Sequence, residues 1–392
     1  MNNFNEQNDG GFDKRTMLAI VLMVLVVTVG MTVQGLLFPR QAAPASVPAA
    51  TAVSQESGFP SQPAASTAQA AISEADALAD SEAPSREELV TVETDLLIAV
   101  LSNKGGELVS LKLKKHTDDQ GPVEMLMAGP NGVEGFSVAL GGPGAAALGS
   151  FMNVSRPAEG VVEFTRTLSY KASDGTLVPY TARKRYEFKD GDYLFRLAVG
   201  FENSRPEALP IGDGEYAYTM SIGPQIGPRY DNLPKNADFR RIVTYENGKR
   251  KVVNPKGGRQ TVASKPSWSA IAGKYFALIA VPEQQNYSYT YTNIAADGYP
   301  VTTSIALSRP ALNASAMADV FYVYAGPKSA RELARYDDPT ANSFKRAGFN
   351  LEGVMEGGNM LGWLENLLKW FMNLFYGIVG NFGVAIILVT LL

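Results

Sequence analysis

The chain has 392 residues, enough for two to three units of ordinary size. Only 19% of them are charged, below the roughly 25% usual for soluble domains, and 45% are hydrophobic, a mixture that fits neither a polytopic membrane protein nor a disordered chain. Zero cysteines exclude disulfides, thiolate metal sites and a cysteine nucleophile, and the single histidine, His116, leaves little for imidazole catalysis.

Taken in chain order, residues 1–15 read as a cytoplasmic N-terminus, followed by an uncharged run from Thr16 to Phe38. About 20 apolar residues cross a bilayer core, so 16–38 reads as a retained anchor rather than a cleaved signal peptide. Lys14 and Arg15 precede the run and only Arg40 follows before Arg86, which places the N-terminus inside and the rest outside. Residues 39–87 are rich in Ala, Pro and Ser and carry Glu56, Glu74, Asp76, Asp80 and Glu82, enough to account for the net charge of −4. That composition cannot bury enough surface to fold, so the segment reads as a disordered tether. The remainder is close to neutral and offers no basic footprint for nucleic acid.

Residues 88–328 read as a large antiparallel β-sandwich. LVTVETDLLIAVLS, the turn Asn103–Gly106 and ELVSLKLKK form an expected hairpin. Strand-like runs follow at 161–170, 180–189, 193–202, 215–223, 274–281, 287–293, 301–308 and 319–326, with RIVTYEN and KVVN flanking Gly248–Arg250. Residues 329–360 read as a helical connector in which SARELARYDD makes one surface helix. At 361–376, Leu364, Leu367, Leu368, Phe371 and Phe375 share one helical face opposite Glu365, Asn366, Lys369 and Asn373. Trp363 and Trp370 in the same stretch indicate a helix lying in the membrane interface. Residues 377–392, uncharged to Leu392, read as the start of a second membrane segment.

Chemical motifs are sparse. His116, in LKLKKHTDDQG, reads as a solvated turn residue with no second imidazole to complete a site. The glycine clusters lack the spacing of a phosphate loop, and no metal, nucleotide or other cofactor is implied. Tyr216, Tyr218, Tyr245, Tyr287, Tyr289 and Tyr291 could form a sugar-binding platform, although alternating tyrosines are common in strands for their β-propensity alone. Arg183–Lys184–Arg185 and Lys249–Arg250–Lys251 read as solvated faces, or as contacts with lipid headgroups if that edge meets a membrane.

The order of anchor, tether, exported sandwich, amphipathic helix and membrane segment resembles the YidC family of membrane protein insertases. The resemblance is carried by Gly362-Trp363, by Leu367–Trp370, and by Gly380-Asn381-Phe382-Gly383 followed by Ile386, Ile387 and Thr390. Asn103 with Gly105-Gly106, Lys274–Ala277 and Gly326-Pro327 add weaker matches. It implies a mutarotase-like or sugar-binding-like β-supersandwich in the periplasm, an inner-membrane location, and insertion of nascent membrane proteins alone or with Sec translocon subunits, without enzymatic turnover. It also implies that the bilayer is a partner, that Gly380, Asn381 and Gly383 mark the second-helix motif, and that the family's groove arginine falls past Leu392. The competing expectation is a membrane-anchored periplasmic sugar-binding or mutarotase-like protein.

Overall fold

The computed structural model describes residues 84–119, 121–126, 135–223, 240–296, 299–311, 313–356 and 362–391. The expected anchor at 16–38 and the tether up to residue 83 lie outside them.

The described chain is mainly β, with every strand pairing antiparallel. A four-stranded sheet runs in sequence order through β1 (Leu89–Glu93), β2 (Leu97–Ser102), β3 (Glu107–Asp118) and β4 (Gly121–Glu124). A five-stranded sheet has the order β13 (Arg259–Val262), β16 (Ser288–Ala296), β17 (Tyr299–Pro310), β10 (Tyr216–Ile222), β5 (Ser137–Leu140). A nine-stranded sheet begins β12 (Lys249–Val253), β11 (Arg241–Glu246), β14 (Trp268–Ala272), β15 (Phe276–Pro282), β18 (Ala316–Pro327). It continues β9 (Leu194–Asn203), β8 (Leu177–Phe188), β7 (Val161–Lys171), β6 (Asn153–Ala158). The five- and nine-stranded sheets face each other: Tyr218 on β10 donates to Asp319 on β18 at 2.7 Å, and Ser269 on β14 bonds Tyr291 on β16 at 3.0 Å.

Period-two alternation explains which face β7, β8 and β9 bury. On β8, Val178, Tyr180, Ala182, Lys184, Tyr186 and Phe188 point inward, while Arg183 and Arg185 point outward toward Glu163 of β7. Lys184 is therefore a core residue, 2% exposed, and the reading of Arg183–Arg185 as one solvated face is corrected. Its ammonium donates to the carbonyls of Gly105 and Phe136, and Tyr186 donates to Gly106 O at 2.9 Å. These bonds seat the β2–β3 turn of the small sheet on the large one. Gly105, with φ of 62°, admits no side chain there, because a Cβ would stand 2.4 Å from Leu148 O.

Other expectations are corrected in detail. The run 89–102 is itself a hairpin, β1–β2, with Thr94 Oγ1 accepting from Leu97 N at 3.0 Å in the turn. Strands β4, β5, β6, β13 and β14 were not anticipated, since β5 and β14 are buried throughout and show no alternation. After β18 the chain forms α1 (Ala330–Ala334), capped by Ser329, then a 3-10 turn at Arg335–Asp337 and another at Leu351–Val354. This segment is a strap whose short helix exposes Ala330, Arg331 and Ala334 and which is bound into the core through Leu333, Tyr336, Leu351 and Val354, all fully buried. Asn342 donates to three carbonyls, of Arg335, Asp338 and Arg346, and Trp268 Nε1 donates to Phe349 O at 3.0 Å.

Two further helices follow, α2 (Gly362–Val379) and α3 (Phe382–Leu391). α2 runs three residues past the boundary expected at 376. Gly380 then takes a φ of 67°, and Asn381 Oδ1 caps α3 by accepting from Gly383 N at 2.8 Å and Val384 N at 3.4 Å. The Tyr376 and Phe382 rings stack at 3.9 Å across this turn, and α3 lies back along α2.

Burial pushes Lys184 from its ordinary 10.5 down to about 7, against the opposing pull of the Glu107 carboxylate. Between about 7 and the unfolded-state value the unfolded chain holds the extra proton, so stability rises with pH across that window. Denaturant titrations above pH 7 are expected to show this rise in the wild type and a flatter profile in Lys184→Met. Asn381→Ala removes the α3 cap at a cost of roughly 1 kcal/mol, which hydrogen exchange reads as about fivefold faster exchange at Gly383 and Val384.

Candidate membrane-contact surface

α2 presents its apolar residues to solvent. Trp370 is 57% exposed and Ile378 75%, and Leu367, Leu368, Leu374 and Val379 are also exposed, with Phe371 and Phe375 half-buried. Trp363 and Leu364 lie in the first turn of the same helix. α3 covers only one flank of it: Leu368, Lys369 and Met372 of α2 meet Ile386, Val389 and Thr390 of α3. The wide arc from Trp370 through Leu374, Leu367, Ile378 and Phe371 stays open. An exposed apolar arc with an indole at its edge is the arrangement of helices that lie in a bilayer interface.

α3 continues this apolar surface with Phe382, Val384, Ile386 and Ile387 exposed. Its one hydroxyl is satisfied internally, Thr390 Oγ1 donating to the carbonyls of Ile386 and Ile387. Ten residues of helix extend about 15 Å, half of a hydrocarbon core. Among the described residues no helix is long and apolar enough to cross a membrane.

The motif Gly380, Asn381 and Gly383 thus works as a hinge and cap between two helices, with Gly380 supplying the left-handed conformation and Asn381 the acceptor. Leu374 and Ile378 were missed as members of the apolar face. They continue the i, i+4 row that starts at Trp370, a signal the sequence carries.

The sandwich assembles no comparable open site from the other candidates. Tyr218, Tyr287, Tyr289 and Tyr291 are core residues, and burial raises the phenol pKa of each. Tyr245 stacks on Trp268 at 5.3 Å. Four of the six tyrosines are thus enclosed in the core and Tyr245 is stacked, while Tyr216 lies half-buried at the start of β10. His116 lies within β3 rather than in a turn, half-buried, its ring 5.4 Å from Phe276 and 6.1 Å from Tyr193. Among the described residues no three His, Cys, Asp or Glu side chains gather to hold a metal.

Comparison with known proteins identifies the family. The family model of the YidC periplasmic domain matches residues 89–371, all of the strands and the first half of α2. The membrane protein insertase YidC of Treponema denticola is 33% identical over 393 residues, covering 97% of this chain and 67% of that protein. The Treponema pallidum protein of the same name is 30% identical over 425 residues, covering 96% and 68%. Among solved structures, a galactose mutarotase-like protein from Lactobacillus casei aligns with a TM-score of 0.38 and 14% identity, covering 61% of this chain and 100% of that one. A galactose mutarotase related enzyme from Lactobacillus acidophilus gives 0.40 and 10%, covering 61% and 97%. With a family match over most of its length and relatives at this identity, the chain belongs to the YidC family of membrane protein insertases.

Proposed function

We propose that this chain assists the insertion and folding of inner-membrane proteins, with its N-terminus in the cytoplasm, its sandwich in the periplasm and α2 lying in the outer interface of the inner membrane. The observation that carries the reading is the open apolar arc of α2 with Trp370 at its edge. Water penalises such a surface, and the headgroup boundary accepts both its apolar side and the indole. The turn at Gly380 and Asn381 folds α3 back along one flank of α2 and leaves the apolar arc free to face the membrane. Nascent membrane proteins are the substrates and Sec translocon subunits the partners, and the work done is transfer between solvents rather than bond chemistry. The proposed division of the chain follows: 1–15 cytoplasmic, 16–38 anchor, 39–87 tether, 88–328 sandwich, 329–360 connector, 361–376 interfacial helix and 377–392 the entering segment.

Insertion of a reporter membrane protein by the whole natural protein tests this. Leu364→Glu, Leu368→Glu and Phe371→Glu each forfeit roughly 1.5–3 kcal/mol of apolar burial and are expected to impair insertion, whereas removing part of the sandwich leaves it largely intact. Normal insertion by all three variants would contradict the reading, as would loss of insertion from the sandwich deletion alone.

A further inference from the structure

The end of the nine-stranded sheet at which the chain departs for α2 carries a cationic, aromatic tip. The β14–β15 turn, Gly273-Lys274-Tyr275, projects Tyr275 into solvent at 65% exposure, with the Lys274 ammonium 5.1 Å from its ring. Lys328 grips this turn from the next strand: its backbone N–H donates to Tyr275 O at 2.6 Å and its ammonium to Gly273 O at 2.7 Å. The same ammonium stands 3.7 Å from Glu356, so the turn and the point of departure are held side by side. From Glu356 to Gly362 the backbone spans at most about 20 Å, which keeps the tip close to the start of α2.

Strand register brings more positive charge to this end. Arg241 pairs with Ala272, directly before the turn, and is exposed. β12 leaves the sheet here at Val253, which pairs with Ile242, and exposed Lys256 follows. Among the described residues neither the Arg241 guanidinium nor the Lys256 ammonium has a carboxylate within ion-pair distance. The sequence deepens the asymmetry: between Glu246 and Glu283 it carries seven Lys and Arg and no Asp or Glu. Glu356, the acid at the point of departure, is already engaged by Lys328.

We infer that this tip, Tyr275 with Lys274, Arg241 and Lys256, is a contact site for the anionic phospholipid headgroups of the membrane on which α2 lies, an inference that rests on the interfacial reading of α2. Tyrosine seats its ring at headgroup level with its hydroxyl in water, and Lys and Arg around it meet phosphate. The contact holds the sandwich to the bilayer by a second point, so that the chain meets the membrane through a β-turn as well as through a helix.

The chain has no native cysteine, so single cysteines at Tyr275→Cys, Leu374→Cys and Leu177→Cys can carry an environment-sensitive fluorophore without background. Leu177 is an exposed control at the opposite end of the sheet, because β8 pairs Phe188 with Phe195 at the tip end and Tyr180 with Asn203 away from it. The whole chain is reconstituted in vesicles of phosphatidylcholine, with or without phosphatidylglycerol, and acrylamide quenching is measured. The label at 275 is expected to be shielded only with phosphatidylglycerol and to be released by high salt, whereas the label at 177 stays open to quencher throughout. Lys256→Gln or Arg241→Gln lowers the ratio of shielded to open label about fivefold each. Quenching at 275 equal to that at 177, with the 374 label shielded, overturns this site and leaves the α2 reading standing. Open labels at both 275 and 374 overturn both. Shielding at 275 that ignores phosphatidylglycerol and the Gln substitutions overturns the headgroup assignment.

Discussion

Asp192 is fully buried, and a carboxylate out of water survives only when its oxygens are satisfied. Here Ser343 N donates to it at 2.7 Å and Tyr336 OH at 3.4 Å, with the Arg335 guanidinium 3.7 Å away. Arg335 also holds Gly191 O at 2.9 Å and Ala341 O at 3.0 Å. These groups fasten the strap at 329–356 to the β8–β9 turn, and everything downstream depends on that fastening. The strap carries Phe349 to Trp268, sets Gly353 against the Tyr245 and Trp268 rings, and delivers Glu356 to Lys328. The sandwich therefore fixes where the chain departs toward α2. Removing one partner from such a cluster strands a buried charge, which is why the strap is a part of the domain and not a loose linker.

The core around it is polar in a few well-defined places. Lys184 and Tyr186 bind the β2–β3 turn, and Tyr218 donates to Asp319, whose carboxylate lies 3.3 Å from Arg309. These groups connect one sheet to another and face no opening. The Tyr218, Tyr287, Tyr289 and Tyr291 rings are enclosed in this same core. The surface with evident contact chemistry lies outside the sandwich core, on α2, α3 and the β14–β15 turn. An insertase needs such surfaces, because its task is to lower the penalty for moving polar and apolar chain between water and lipid.

Much of this was legible in the residues. Strands β7, β8, β9, β16 and β17 announce themselves by period two, β18 by its run of Val, Phe and Tyr, and the face of α2 by the spacing of Leu364, Leu368, Phe371 and Phe375. What escaped has physical reasons. Strands buried on both faces, such as Trp268–Ala272, have no alternation to detect, β6 is polar and exposed with no buried row, and β13 has only four residues. Lys184 was read by its charge, yet its place between Ala182 and Tyr186 in the inward row marked it as a core position. Tyr336 and Leu351 belong to the core through tertiary contacts that local periodicity does not encode. The hinge at Gly380 was visible as a motif, but that α3 folds back on one flank of α2 and spares the apolar arc follows only from three-dimensional packing.

Trp370 reports directly on where α2 sits. In a Trp363→Phe background, with Trp268 buried in the sandwich, depth-dependent quenching of tryptophan fluorescence by brominated lipids reads the Trp370 environment. The account predicts strong quenching by lipids brominated near the headgroup end of the chain and weak quenching by those brominated near its terminus. Fluorescence unaffected by brominated lipid at either depth, with the protein bound to the same vesicles, would contradict it.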